Sequence, residues 1–194
     1  TETWGTDDDA QIGDTVDFQI KVKDGKGTDS FIVLHDTMST GLTLKIDSFA
    51  VKVDGEDVAA ANYKIYVDRD LTVTGTKPDS IDKSVDISDE AITNGGSGTS
   101  LVTYHAASTD TDTFVIVFYD SYIQSLAENK EIVITYQAIL NDTAVVGTDE
   151  TNKSKTTYSN QTTTEKEVKV HTYDVDILKY ANDATTTPIA DAVF

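Results

Sequence analysis

The chain has 194 residues, with 15 lysines and arginines against 34 aspartates and glutamates, and a formal net charge of −19. That field repels nucleic acid and anionic membrane alike, which excludes both as partners, while the length suffices for one sandwich-sized core or one domain plus the start of another. There is no cysteine, so an extracellular domain of this make-up has to rely on core size or on some other cross-link.

Threonine, valine, aspartate and tyrosine dominate, a mixture suited to pleated, half-buried strands. Thr15–Lys23 (TVDFQIKVK) alternates cleanly, with Val16, Phe18, Ile20 and Val22 on one face and Asp17, Gln19, Lys21 and Lys23 on the other. This predicts a half-buried antiparallel strand, followed by a tight turn at Asp24-Gly25-Lys26-Gly27. Ser30–Asp36 (SFIVLHD) predicts a second strand whose parity puts Asp36 in phase with Ile32 and Leu34. Strands are also expected at Leu42–Ile46, at Phe49–Val53 before an Asp54-Gly55 turn, and at Tyr63–Val67.

The polar, glycine-rich stretch Thr74–Ser100 reads as mostly loop. Strands resume at Leu101–His105 and at Thr113–Phe118, the latter apolar on both faces as in a central strand. Asp120–Asn129 is the one helical stretch, with Asp120 placed to cap it. Lys130–Leu140 turns Ile132, Ile134, Tyr136 and Ala138 inward, and Ser154–Ser159 closes the series before a threonine-rich linker. The fold expected is all-β, an immunoglobulin-like β-sandwich with one short helix. The sequence shows no signal peptide, transmembrane run or C-terminal sorting signal, and Thr1 begins mid-pattern, so a piece of something longer is expected.

Three stretches carry a family resemblance. Gln11–Phe18 (QIGDTVDF), Val33–Thr43 (VLHDTMSTGLT), and Ile134–Leu140 followed by Asn141, Ala144, Gly147 and Asn152–Asn160 (NKSKTTYSN) together resemble the isopeptide-forming domain of sortase-assembled pilin backbone subunits of Gram-positive bacteria. Thr172–Lys179 (TYDVDILK) and Pro188–Phe194 (PIADAVF) resemble the opening of a B-type repeat from collagen-adhesin-like proteins. The implied organisation is a domain over 1–160, a linker over 161–171, and the truncated first strand of a following domain over 172–194. The implied role is a structural stalk on the cell surface, anchored to the wall. Partners would be other pilin or surface-protein domains, and a complementary lysine-bearing strand.

In such domains a lysine amine attacks an asparagine side-chain amide with help from a neighbouring acid, and ammonia leaves. Burial favours both the neutral amine and the protonated acid. The resemblance makes Asp36 the assisting acid and Asn152 the acceptor, with Asn160 as the alternative acceptor; at the level of the residues alone, Asp36 also fits a strand-end cap. Residues 1–13 contain no lysine, and Lys21 and Lys23 fall on the polar face of their strand. The partner lysine is therefore expected upstream of Thr1, and no lysine–asparagine bond is expected within Thr1–Asn160. Lys179 follows the stripe of Tyr173, Val175 and Ile177 and resembles the reactive lysine of the next domain.

Competing readings are a ligand-binding adhesin for host glycan or matrix protein, with Tyr104, Tyr119 and Tyr122 as a stacking platform, and calcium binding at Asp7-Asp8-Asp9 or Asp110-Thr111-Asp112. No carboxylate pair is marked out as a glycosidase site, and His35, His105 and His171 lack metal spacing. Neither a cofactor nor a metal is implied.

Overall fold

A computed structural model describes residues 4–23, 31–94, 102–105, 112–127, 130–158 and 161–173. The strands in chain order are β1 (Asp7–Ala10), β2 (Thr15–Lys23), β3 (Ile32–Met38), β4 (Leu42–Val53), β5 (Glu56–Asp57), β6 (Tyr63–Val67) and β7 (Ile81–Asp82). They continue with β8 (Ile92–Asn94), β9 (Val102–His105), β10 (Phe114–Phe118), β11 (Glu131–Leu140), β12 (Glu150–Tyr158), β13 (Gln161–Thr162) and β14 (Lys166–Thr172), with helix α1 (Asp120–Ile123) between β10 and β11. The larger sheet runs β1-β14-β12-β3-β10-β6-β7, with β13 paired to β12. The smaller runs β2-β11-β4-β5, and β8 and β9 form a separate hairpin. The architecture is the expected sandwich with one short helix.

The alternation in β2 and β11 builds one wall of the core. Val16, Phe18, Ile20 and Val22 are buried against Ile132, Ile134, Tyr136, Ala138 and Leu140, while the intervening residues face outward. The apolar phase of β4 shifts from Leu42, Leu44 and Ile46 to Val51 and Val53. The sequence reads that shift as two strands. The structure keeps one strand and absorbs the shift as a bulge, where pairing with β11 jumps from Thr135–Ala50 to Gln137–Lys45. Asp54 (φ 48°) and Gly55 (φ 87°) then make the predicted turn into β5, both in the left-handed region.

β3 is buried from Ile32 to Asp36, and β10 along its whole length. Their inner faces meet the smaller sheet. Their outer faces, Val33, Val115 and Val117, are covered by Ile87 and Ile92, which come from the stretch expected to be mostly loop. That stretch carries β7 and β8 and serves as a lid over a second, smaller apolar cluster.

One expectation needs correction. Residues 161–171 are not a linker: they contain β13 and nearly all of β14, which pairs antiparallel with β12 and buries Val170. The polar triplet Asp7-Asp8-Asp9 carries no apolar alternation, yet it forms most of β1, which lies parallel to β14. The domain thus extends to Thr172. The turn at 24–27 and the following-domain segment from 174 onward lie outside the described residues.

Candidate functional site

Asp36 occupies the inward phase of β3 together with Ile32 and Leu34, as the parity of SFIVLHD predicts, and is fully buried. Its cross-strand neighbours are Phe114 on β10 and Ser154 on β12. Asn152 is also buried on β12, opposite Met38 and one inward position away from Ser154. The facing sheet supplies the third member. Tyr136 of β11 donates its hydroxyl to Asp36 Oδ2 (2.6 Å) and accepts from Asn152 Nδ2 (2.7 Å).

Aromatic rings enclose this chain of hydrogen bonds. Phe18 and Phe49 stack on Tyr136 at centroid distances of 5.6 and 5.5 Å, and Phe114 meets its edge at 5.0 Å. The bulge in β4 is what brings Phe49 over the ring. In this apolar setting burial drives the Asp36 carboxyl well above its usual range. The Tyr136 hydroxyl opposes that shift, the nearby charge of Asp112 adds to it, and Asn152 opposes it more weakly. Burial, and then the adjacent Asp36, push the Tyr136 phenol upward as well. Burial thus favours the protonated form of both the acid and the phenol.

Two buried oxygens of the site, Asp36 Oδ1 and Asn152 Oδ1, have no hydrogen-bond partner among the described residues. Unmet buried polar atoms are costly and rare, and their pairing at one spot marks a place built for a further group. A cleft of about 630 Å³ reaches the site between β2 on one sheet and β14 with β1 on the other. Tyr136 and Asn152 line it, together with Trp4, Phe18, Val168 and Val170. It opens at the seam where β1 and β2, the outer strands of the two sheets, have no further strand paired to them among the described residues.

The described lysines on the cleft wall are Lys21, Lys166 and Lys169. Lys21 is exposed, as its parity predicts, and so is Lys23. Lys169 is held by Asp149 at 3.0 Å. Lys166 shares the β14 face of Val168 and Val170 and lies opposite Ser154, a placement hidden while that strand reads as linker. Asn160 and Lys179 fall outside the described residues.

The flanking supports are also visible. Glu150, two residues before Asn152, is buried and accepts from Ser39 Oγ and from Gly41 N (3.1 Å), pinning the turn that ends β3. On the outer face of β3, His35 Nδ1 meets Asp112 Oδ2 at 2.8 Å and Nε2 meets Thr157 at 3.2 Å. His171 pairs with Asp149 at 2.6 Å. No group of three or more metal-ligating side chains occurs among the described residues. Asp7, Asp8 and Asp9 are exposed along β1, and Tyr122 stacks on Phe118 at 6.5 Å.

Comparison with known proteins places this geometry. No family profile matches the chain, and no curated protein does. Solved structures do. The major pilin RrgB of Streptococcus pneumoniae aligns over 79% of this chain and 20% of its own, with a TM-score of 0.52 at 20% identity. The major pilin subunit BcpA of Bacillus cereus aligns over 85% of this chain and 36% of its own, with a TM-score of 0.52 at 14% identity. The N-terminal domain of a Streptococcus gordonii adhesin aligns over 86% of this chain and 30% of that one, with a TM-score of 0.54 at 14% identity. The chain has the fold of pilin-backbone and adhesin domains of Gram-positive surface proteins, and spans well under two thirds of each of these three chains.

Proposed function

We propose that this chain is a structural stalk domain of a Gram-positive surface pilin or adhesin, outside the cell and anchored to the wall, and that its buried site forms one lysine–asparagine isopeptide bond. One observation carries the reading: a neutral buried acid, Asp36, joined through one hydroxyl to a buried asparagine amide at the end of an open cleft. A primary amine entering there loses its water and its charge, and so becomes nucleophilic. Asp36 supplies the proton transfers, and Asn152 is the acceptor. Each domain performs the reaction once, so the chain is not an enzyme in the turnover sense.

The amine comes from a strand preceding Thr1. Trp4, Gly5 and Thr6 line the same cleft as Asn152. Sortase-linked assembly with like domains follows from the same reading. The test is the intact mass of this chain beside that of a form extended upstream by its natural preceding strand. Loss of one ammonia in the longer form alone, abolished by Asn152→Ala, is the expected result. An ammonia-deficient mass in the unextended chain would assign the amine to Lys21, Lys166 or Lys169 instead. Full mass in both would remove the reading.

A further inference from the structure

The Tyr136 hydroxyl stands between the carboxyl of Asp36 and the amide nitrogen of Asn152, 2.6 Å from one and 2.7 Å from the other, and these are closer links than the weaker one between Asn152 and the carboxyl itself. Asn152 Nδ2 is the atom that must leave as ammonia, and its bonded neighbour is Tyr136 Oη at 2.7 Å. An amide nitrogen is a poor leaving group unless it is protonated as its bond to carbon breaks, so whichever group faces it decides how easily it departs.

We propose that Tyr136 is a catalytic residue of cross-link formation, carrying the proton from Asp36 to the departing ammonia. The inference rests on the isopeptide reading above. The step balances as follows. The neutral lysine amine adds to Asn152 Cγ and gives one proton to Asp36 Oδ1, the carboxyl oxygen that has no partner among the described residues. For this the neutral acid carries its own proton on Oδ2, the Oδ2–Oη hydrogen bond (2.6 Å) reverses from the resting arrangement in which Tyr136 donates, and Oδ2 passes that proton to Tyr136 Oη as Oδ1 receives the one from the amine. Tyr136 passes its own proton to Nδ2, which becomes a competent acceptor once addition at Cγ ends its conjugation. The Nζ–Cγ bond forms, the Cγ–Nδ2 bond breaks, ammonia leaves, and both Asp36 and Tyr136 finish with the protons they began with. No second residue is needed to shuttle the proton across the site.

The surroundings suit a relay better than a spacer. The ring is clamped by Phe18, Phe49 and Phe114, so the hydroxyl cannot swing away. Burial keeps the phenol protonated, able to give one proton only as it receives another. A residue needed only to fill this space could be phenylalanine, like its three neighbours.

The experiment uses the full chain and hydroxylamine, a small amine that is neutral near pH 7 and enters without a tethering strand. Its product is a hydroxamate at Asn152, located by peptide mass spectrometry as one hydroxylamine gained and one ammonia lost. The unmodified chain is expected to react and Asn152→Ala not to. Tyr136→Phe is expected to react roughly a hundredfold more slowly, the usual scale of a lost proton-transfer group. Phe118→Leu, which loosens the same core beside Tyr63 and Tyr122 but leaves the rings around Tyr136 intact, is the packing control and is expected to lower the melting temperature while keeping the rate. Tyr136→Phe reacting at the unmodified rate while Asp36→Ala is inert would overturn the relay and leave the isopeptide reading standing. Equal slowing by Phe118→Leu would also overturn it, since the effect would then be general packing. No reaction in the unmodified chain would remove both.

Discussion

Asp36 shows how one residue couples stability to readiness for chemistry. Its folded pKa lies above the ordinary 3.8, so between those two values the native state holds a proton that the unfolded chain has released. The stabilising contribution is present below the unfolded value and is lost as pH rises through the folded one. Acidification from neutral pH is therefore expected to raise the melting temperature of the unmodified chain more than that of Asp36→Asn, by up to about 1.4 kcal/mol per pH unit inside that window. The comparison matters because acid also relieves the general self-repulsion of a −19 chain in both proteins. Parallel melting curves against pH would show that Asp36 titrates normally. Gly41 is the second residue-scale case. A Cβ there would meet the Glu150 carboxyl carbon at 2.2 Å, and that carboxylate is buried and already bound to Ser39 and Gly41. Gly41→Ala is expected to cost about 1–3 kcal/mol in urea unfolding, the usual range for overpacking.

At the scale of elements, β14 separates the structure from a reading by periodicity. Its inner face reads Lys166, Val168, Val170, Thr172, with only two apolar members, and its outer face is charged. That pattern is weak because β14 lies toward the edge, between β12 and the short β1, and faces the mouth of the cleft as much as the core. Val170 is nonetheless buried. Val170→Asp is expected to lower stability by about 3 kcal/mol, since an unpaired carboxylate would have to enter the core or β14 would have to detach. An unchanged melting temperature would return the segment to linker status. The pair His35–Asp112 makes the matching point for β3, whose outer face turns polar at His35 and Thr37, both of which meet the buried Asp112 carboxyl. His35→Ala is expected to cost about 1–3 kcal/mol, the scale of removing one partner from a buried hydrogen bond.

For the whole molecule the question is what replaces the disulfide this chain lacks. The two sheets meet through an apolar core, but among the described residues β1 and β2 have no partner strand on one side of the seam, where a pulling force or a protease would start. The proposed covalent bond from an upstream strand to Asn152 would close that seam and tie that strand to one of the domain's last strands. The loop it closes is well over ~100 residues, for which chain entropy gives roughly 4.7 kcal/mol. The cross-linked form is expected to exceed its Asn152→Ala counterpart by about that much in chemical unfolding, and the difference should persist in reducing agent.

The amino-acid sequence by itself determined the elements with strong period-two alternation, because β2 and β11 each bury one whole face and leave the other in water. It also determined that Asp36 points inward, since parity along a strand is a local property. It could place Asn152 only by resemblance, and it turned Tyr136 inward without showing what its hydroxyl meets. Contacts between β3, β11 and β12 join residues 100 and 16 positions apart, and no local pattern encodes such distances. β1, β14 and the lid over β3 were likewise decided by the tertiary structure. They are short or polar segments whose strand character comes from pairing with an edge already formed, not from an apolar face of their own.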